Sequence, residues 1–186
     1  RGNTLVTGLA VAILIGAAAW MVLIGDQGGA FGTAFVADPF AKFFKFLAMI
    51  GSVVALAMSV GFAREQKFDK FEYPVIIMLS TLGMMLMISA NDMIALYLGL
   101  ELQSLAIYVL CAINRDSARA AAAGLKYFVL GVLSSGMLIY GISLIYGYTG
   151  NTSFEAIAAS LATDERQLGL VFGLVQHDAF ALEHHI

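Results

Sequence analysis

The sequence predicts an all-α integral membrane protein whose chain crosses the bilayer about five times. Three observations predict it. The 186 residues are 60% hydrophobic and only 12% charged, whereas soluble domains carry about 25% charged residues. Five apolar stretches reach or approach the length a helix needs to cross the hydrocarbon core, about 20 residues. Lys and Arg also gather in alternate loops, as the positive-inside rule describes.

The first span, Thr4 to Ile24, is uncharged and carries Trp20 near its end, an amphipathic ring suited to the headgroup level. It has no small-residue cleavage site and is too long for a signal-peptide core, so it reads as a true span. An opening Arg1 in place of Met points to a truncated N-terminus. The second span, Phe40 to Ala63, follows the start signal Asp38-Pro39 and holds Lys42 and Lys45 in its first turns. Both lysines are placed to snorkel toward the headgroups. The third span, Tyr73 to Ala90, and the fourth, Met93 to Ile113, are joined by the short turn Ser89-Ala90-Asn91-Asp92 and so form an antiparallel pair. The fifth, Ala120 to Tyr148, pairs with the fourth through the loop Asn114 to Arg119.

Beyond Tyr148 a polar stretch opens a loop over 149–167, in which Ser153 is placed to cap a short helix from Phe154 to Leu161. The apolar run 168–175 is too short to span and reads as the start of an incomplete span. Residues 176–186 read as an aberrant or artificial tail despite His177, His184 and His185, and they carry no mechanism. Arg1, Arg64, Lys67, Lys70, Arg115 and Arg119 fall on the N-terminal side of the bilayer, against Lys42, Lys45 and Arg166 on the other. The N-terminal side is therefore expected to be cytoplasmic, and the 149–167 loop non-cytoplasmic.

Composition also excludes several classes. The net charge of -3 gives no reason to expect a nucleic-acid partner. The single cysteine, Cys111, rules out an internal disulfide and a cysteine-rich metal site. There is no Gly-rich phosphate loop, no zinc-type Cys/His spacing and no Gly-x-Ser-x-Gly elbow. No His lies in a span, which argues against haem. Met84, Met85 and Met87 in the third span read as packing.

Chemistry is expected at Glu101. It lies about 14 Å along a helix from Asp92, close to the midplane. A carboxylate there costs roughly 2.5–3.5 kcal/mol even on lenient scales, so it needs a partner, water or a proton. Pulled between apolar surroundings and a nearby cation, such a group can take up and release a proton as its neighbours move. Tyr97, Ser104 and Tyr108 recur on its helix face at spacings of four, three and seven residues. The alternative is a carboxylate locked in a static interhelical hydrogen bond. Lys126 in the fifth span is the candidate partner, nearer the cytoplasm by on the order of 10 Å. A water or an intermediate group is then needed between the two. The alternative is a lysine that snorkels at the interface. Ser134 and Gly141 lie within about 80° of Lys126 on its helix, and Ser134-Ser135-Gly136 suits close helix packing.

The segment Tyr97-Leu98-Gly99-Leu100-Glu101-Leu102-Gln103-Ser104-Leu105 completes a pattern with Asn114-Arg115, Gly124-Leu125-Lys126-Tyr127-Phe128, Ser134-Ser135-Gly136 and Tyr140-Gly141. Over roughly Arg1 to Val175 it resembles the subunit N family of bacterial NADH–quinone oxidoreductase, respiratory complex I, itself similar to subunits of cation/proton antiporters. The resemblance implies an antiporter-like bundle built from inverted repeats, of which this chain holds a part truncated at both ends. It implies that Glu101 and Lys126 carry proton transfer, with Tyr97, Ser104, Tyr108 and Ser134 as a supporting polar face. NADH, FMN, iron–sulfur clusters and quinone would belong to the parent complex, with no cofactor or metal in this chain. The expected surroundings are the other membrane-arm subunits and the lipid of the bacterial inner membrane, and the expected activity is that of a proton-translocating translocase. Rival readings are a cation/proton antiporter subunit and a purely structural membrane subunit.

Overall fold

The computed structural model describes residues 2–23, 28–32, 34–65 and 71–162. The expected incomplete span at 168–175 and the tail at 176–186 lie outside the described residues. Among the described residues, five helices are long and apolar enough to cross a membrane: α1 (Gly2–Leu23), α2 (Pro39–Glu65), α3 (Glu72–Ser89), α4 (Met93–Cys111) and α5 (Ala118–Thr149). A shorter α6 (Phe154–Ala162) follows. In the most apolar window of each span only 17% to 28% of the residues are buried within the chain. Most of each helix is therefore turned outward, as apolar surface is when lipid is the solvent.

One small element departs from an all-helical reading. Between α1 and α2 the chain forms an antiparallel hairpin of β1 (Gly28–Ala30) and β2 (Phe35–Ala37), with Gly28 opposite Ala37 and Ala30 opposite Phe35. Its strands are three residues long, too short for alternation to register as a pattern. The hairpin is fastened to the α3–α4 turn, where Phe35 bridges Ala90 and the Asn91 amide donates to the Ala34 carbonyl at 2.8 Å.

Local chemistry sets the helix ends. Pro39 opens α2, where its missing N–H costs nothing, and the Asp38 carboxylate accepts from the Ala41 amide at 2.7 Å. Asp92 does the same for α4, accepting from Ile94 at 2.8 Å and Ala95 at 3.3 Å. Its other oxygen accepts from the Thr152 hydroxyl, and the Met93 amide donates to the Thr152 carbonyl at 2.9 Å. One turn thus fastens the hairpin, α4 and the start of α6. Ser117 caps α5, and Gly150 ends it in the left-handed region at φ 67, the conformation glycine adopts without strain.

The helices meet through small residues. A Cβ on Gly83 of α3 would come within 2.6 Å of the Gln103 backbone nitrogen, and one on Gly99 of α4 within 2.8 Å of Met87. The α3 and α4 backbones therefore touch where neither has a side chain, the usual means of close packing in a membrane. α2 and α3 are joined by the Thr81 hydroxyl, fully buried and 2.6 Å from that of Ser52. Two apolar cores complete the bundle. One gathers Leu14, Met49, Leu56 and Ile77 across α1, α2 and α3. The other gathers Met93, Leu138, Ile142, Ile145 and Ile157 where α4, α5 and α6 converge.

Candidate functional site

Glu101 is the only carboxylate in the interior of a spanning helix among the described residues. Its helix, α4, turns one side to α3 through Gly99 and another to α5. On the α5 side, Tyr97 and Ser135 share a hydrogen bond of 2.9 Å between their hydroxyls. Tyr108 stands edge-on to Tyr127 at 4.8 Å and to Phe128 at 5.9 Å. Ala112 fills the space above Gly124. Glu101 lies within about 40° of both Tyr97 and Tyr108 around the helix, so it faces α5 as they do. In the antiparallel register of these contacts it comes about opposite the Ser134-Ser135 step.

The carboxylate is half-buried, and among the described residues it makes no ion pair. Its electrostatic neighbour is Tyr108, and Ser104 stands beside Tyr108 one turn earlier on the same helix. The Tyr108 hydroxyl sits directly over Gly131, where a Cβ would come within 1.7 Å of the oxygen. The result is a seam of hydroxyls between α4 and α5. Tyr97 and Ser135 lie on one side of Glu101, Ser104 and Tyr108 on the other, and the seam runs about 16 Å along the helix axis. Each hydroxyl both donates and accepts. Such a row can pass a proton along, and a carboxylate in its middle can hold one.

The structure does not bring Lys126 to Glu101. Gly124 and Gly131 mark the face of α5 that meets α4, and Lys126 is about 160° and 140° round the helix from them. It is exposed, while its neighbour Tyr127 makes the contact with Tyr108. Ser134 is half-buried, but the hydroxyl contact to α4 runs through Ser135. Among the described residues Gly136 has no neighbour within 4 Å of a would-be Cβ, so it does not form the close approach to α4. That approach is at Gly124 and Gly131. Ser135 stood out in the sequence only as part of a packing step and Gly131 not at all, although Gly124, Gly131, Leu138 and Ile145 recur every seven residues and mark the buried face.

Residues 90–177 match the family described as NADH:quinone oxidoreductase/Mrp antiporter, TM. The chain is 63% identical over 175 residues to NADH-quinone oxidoreductase subunit N 1 of Rhizobium meliloti, covering 94% of this chain and 36% of that protein. It is 53% identical over 176 residues to the subunit N of Paramagnetospirillum magneticum, covering 90% and 36%. Among solved structures it is similar to a chain of respiratory complex I from Thermus thermophilus, at a TM-score of 0.74 and 26% identity, covering 94% of this chain and 37% of that one. It is also similar to a chain of the membrane-bound sulfane sulfur reductase, an archaeal respiratory membrane complex, at a TM-score of 0.70 and 26% identity, covering 92% and 36%. The chain spans about a third of the length of these relatives. Matched through the segments that carry Glu101 and Lys126, it belongs to the antiporter-like membrane-subunit family that includes subunit N of NADH–quinone oxidoreductase.

Proposed function

We propose that this chain is part of a proton-translocating membrane-arm subunit of NADH–quinone oxidoreductase, in which Glu101 takes up and releases the proton. The observation that carries this reading is a mid-span carboxylate with hydroxyls on both sides of it along one helix seam. Ser104 and Tyr108 lead from Glu101 toward the end of α5 that holds Lys126. Lys126 serves as a further station on α5, without direct contact to Glu101. Ser134 and Ser135, with Tyr97, support the other side. NADH, FMN, iron–sulfur clusters and quinone act in partner subunits, and this chain supplies the membrane part. It does so as a multi-pass protein of the bacterial inner membrane.

A second reading is a cation/proton antiporter subunit that uses the same carboxylate. The family's description names an antiporter, and the sulfane sulfur reductase shares the fold. The substitution Glu101→Gln keeps the shape and removes the titrating proton. In inverted membrane vesicles, NADH-driven proton uptake is expected to fall by about a hundredfold, the low end for loss of a proton-transfer group, with the complex still assembled. Unchanged uptake with intact assembly would overturn the proton-carrying role. Cation-driven proton exchange in the absence of NADH, abolished by the same change, would favour the antiporter.

A further inference from the structure

Tyr108 of α4 sits in α5 as a knob sits in a hole. Gly124, Tyr127, Phe128 and Gly131 follow one another at spacings of three, four and seven residues, so they share one face of α5 and outline a four-cornered socket. Two corners carry no side chain. Ala112 fills the space above Gly124, and the Tyr108 hydroxyl lies over Gly131. The other two corners are rings. Tyr127 meets the Tyr108 ring at 4.8 Å and 89°, and Phe128 meets it at 5.9 Å and 85°. Both contacts have the edge-to-face form that aromatic pairs prefer.

The direction of the hydroxyl is the notable feature. Tyr108 lies three residues before the end of α4 at Cys111, about 4.5 Å along the axis. A tyrosine at that level ordinarily keeps its polar tip toward the headgroups and water. Here the tip goes the other way. Gly131 lies about 10 Å along α5 from Gly124, which stands beside the end of α4. The oxygen over Gly131 therefore reaches into the bilayer, toward the depth of Glu101. Helix side chains lean toward the N-terminus, which favours this direction but does not fix it. A change of rotamer would carry the oxygen out of the seam. The two perpendicular rings stand in the way of that rotation.

We propose that Tyr127 and Phe128 are positioning residues for proton transfer at Glu101. Their rings, with the open space above Gly131, hold the Tyr108 hydroxyl turned inward along the seam, and they act only through Tyr108. This role rests on the proton-carrying reading of Glu101. It asks the two side chains for shape alone. An aliphatic group in either place fills volume but gives the Tyr108 ring no second ring to meet edge to face. Phenylalanine in place of Tyr127 gives the same ring. Lys126 lies on the far side of α5 from Gly124 and Gly131 and takes no part in the socket.

The test is NADH-driven proton uptake by the assembled complex in inverted membrane vesicles, with the amount of assembled complex measured alongside. Tyr127→Leu and Phe128→Leu are each expected to slow uptake by about two- to tenfold, the range set by one aromatic pair. Tyr127→Phe keeps the ring and should keep the rate. In a Tyr108→Phe background no hydroxyl is left to position, so the same leucine changes should slow uptake no further. Should leucine prevent assembly, Tyr127→Met and Phe128→Met remove the rings with a more adaptable side chain. Full rates in the ring-less variants overturn the proposal. Equal slowing in both backgrounds also overturns it, because it marks a packing defect. A Tyr127→Phe rate as low as that of Tyr127→Leu does the same, since the hydroxyl rather than the ring would then matter. Glu101→Gln separates the two levels. Unchanged uptake there removes the proton-carrying role itself, whereas slowed uptake there with full rates in the ring-less variants removes only the positioning role.

Discussion

At Gly131 the absence of a side chain lets the Tyr108 hydroxyl stand against α5. A Cβ there would lie 1.7 Å from the oxygen and 2.3 Å from the ring carbon that carries it. Gly131→Ala is therefore expected to displace the ring, at the roughly 1–3 kcal/mol typical of overpacking. The change should appear as a lower melting temperature of the purified protein and slower proton uptake. Tyr108→Phe does not rescue it, because the ring carbon still collides, whereas Tyr108→Ala makes room. Alone, Tyr108→Phe separates the two effects: assembly should persist while proton uptake slows. Glu101 was legible because a charge inside an apolar run is costly, and Tyr97, Ser104 and Tyr108 followed from helical spacing. Ser135 was not. It is one residue from Ser134, and choosing between them requires knowing which face of α5 meets α4. In lipid the outer face is as apolar as the inner one, so that phase leaves little trace.

Among the elements, the α3–α4 pair and its turn carry the most consequence. Asp92 caps α4 with one oxygen and accepts from Thr152 with the other, so one carboxylate sets both the start of the glutamate-bearing helix and the position of the chain after α5. Asp92→Ala removes both functions and is expected to cost about 1–2 kcal/mol, the upper range for a helix cap. Thermal denaturation of the purified protein measures it, and an unchanged melting temperature would show the cap to be dispensable. Helices of this length and apolarity were readable one by one, because crossing lipid imposes a length. The hairpin was not readable. Its order depends on the Phe35–Ala90 bridge and the Asn91–Ala34 bond, contacts across more than fifty positions of chain that no local pattern encodes.

For the whole molecule, the distribution of Lys and Arg assigns the sides of the membrane. Arg115 and Glu72, which approach to 3.6 Å at the ends of α4 and α3, lie on the expected cytoplasmic side. The exposed pair contributes little to stability, about 0–1 kcal/mol, but it marks two loops as neighbours. In a Cys111→Ser background, a cysteine in place of Asp116 should react with a membrane-impermeant maleimide only from the cytoplasmic face. One in place of Asn151 should react only from the opposite face. The reverse result would invert the orientation of the bundle and with it the direction of the hydroxyl seam.

The 32-residue length of α5 has a consequence for the membrane around it. At 1.5 Å per residue the helix is about 48 Å long, against a hydrocarbon layer about 30 Å thick, and an ordinary tilt of about 20° leaves it still overhanging. α4, with 19 residues, spans about 28 Å and reaches its end beside Gly124. Lys126 therefore sits at the waterline, two residues inside the point where the shorter helix stops. A few ångströms of bilayer thickening would submerge it, and thinning would hand it to water. Reconstitution in lipids of graded chain length should then change the rate of proton transfer while assembly stays constant, with the shorter chains giving the faster rate. Acyl length, a property of the surrounding membrane, would in this way set the hydration of one end of the path.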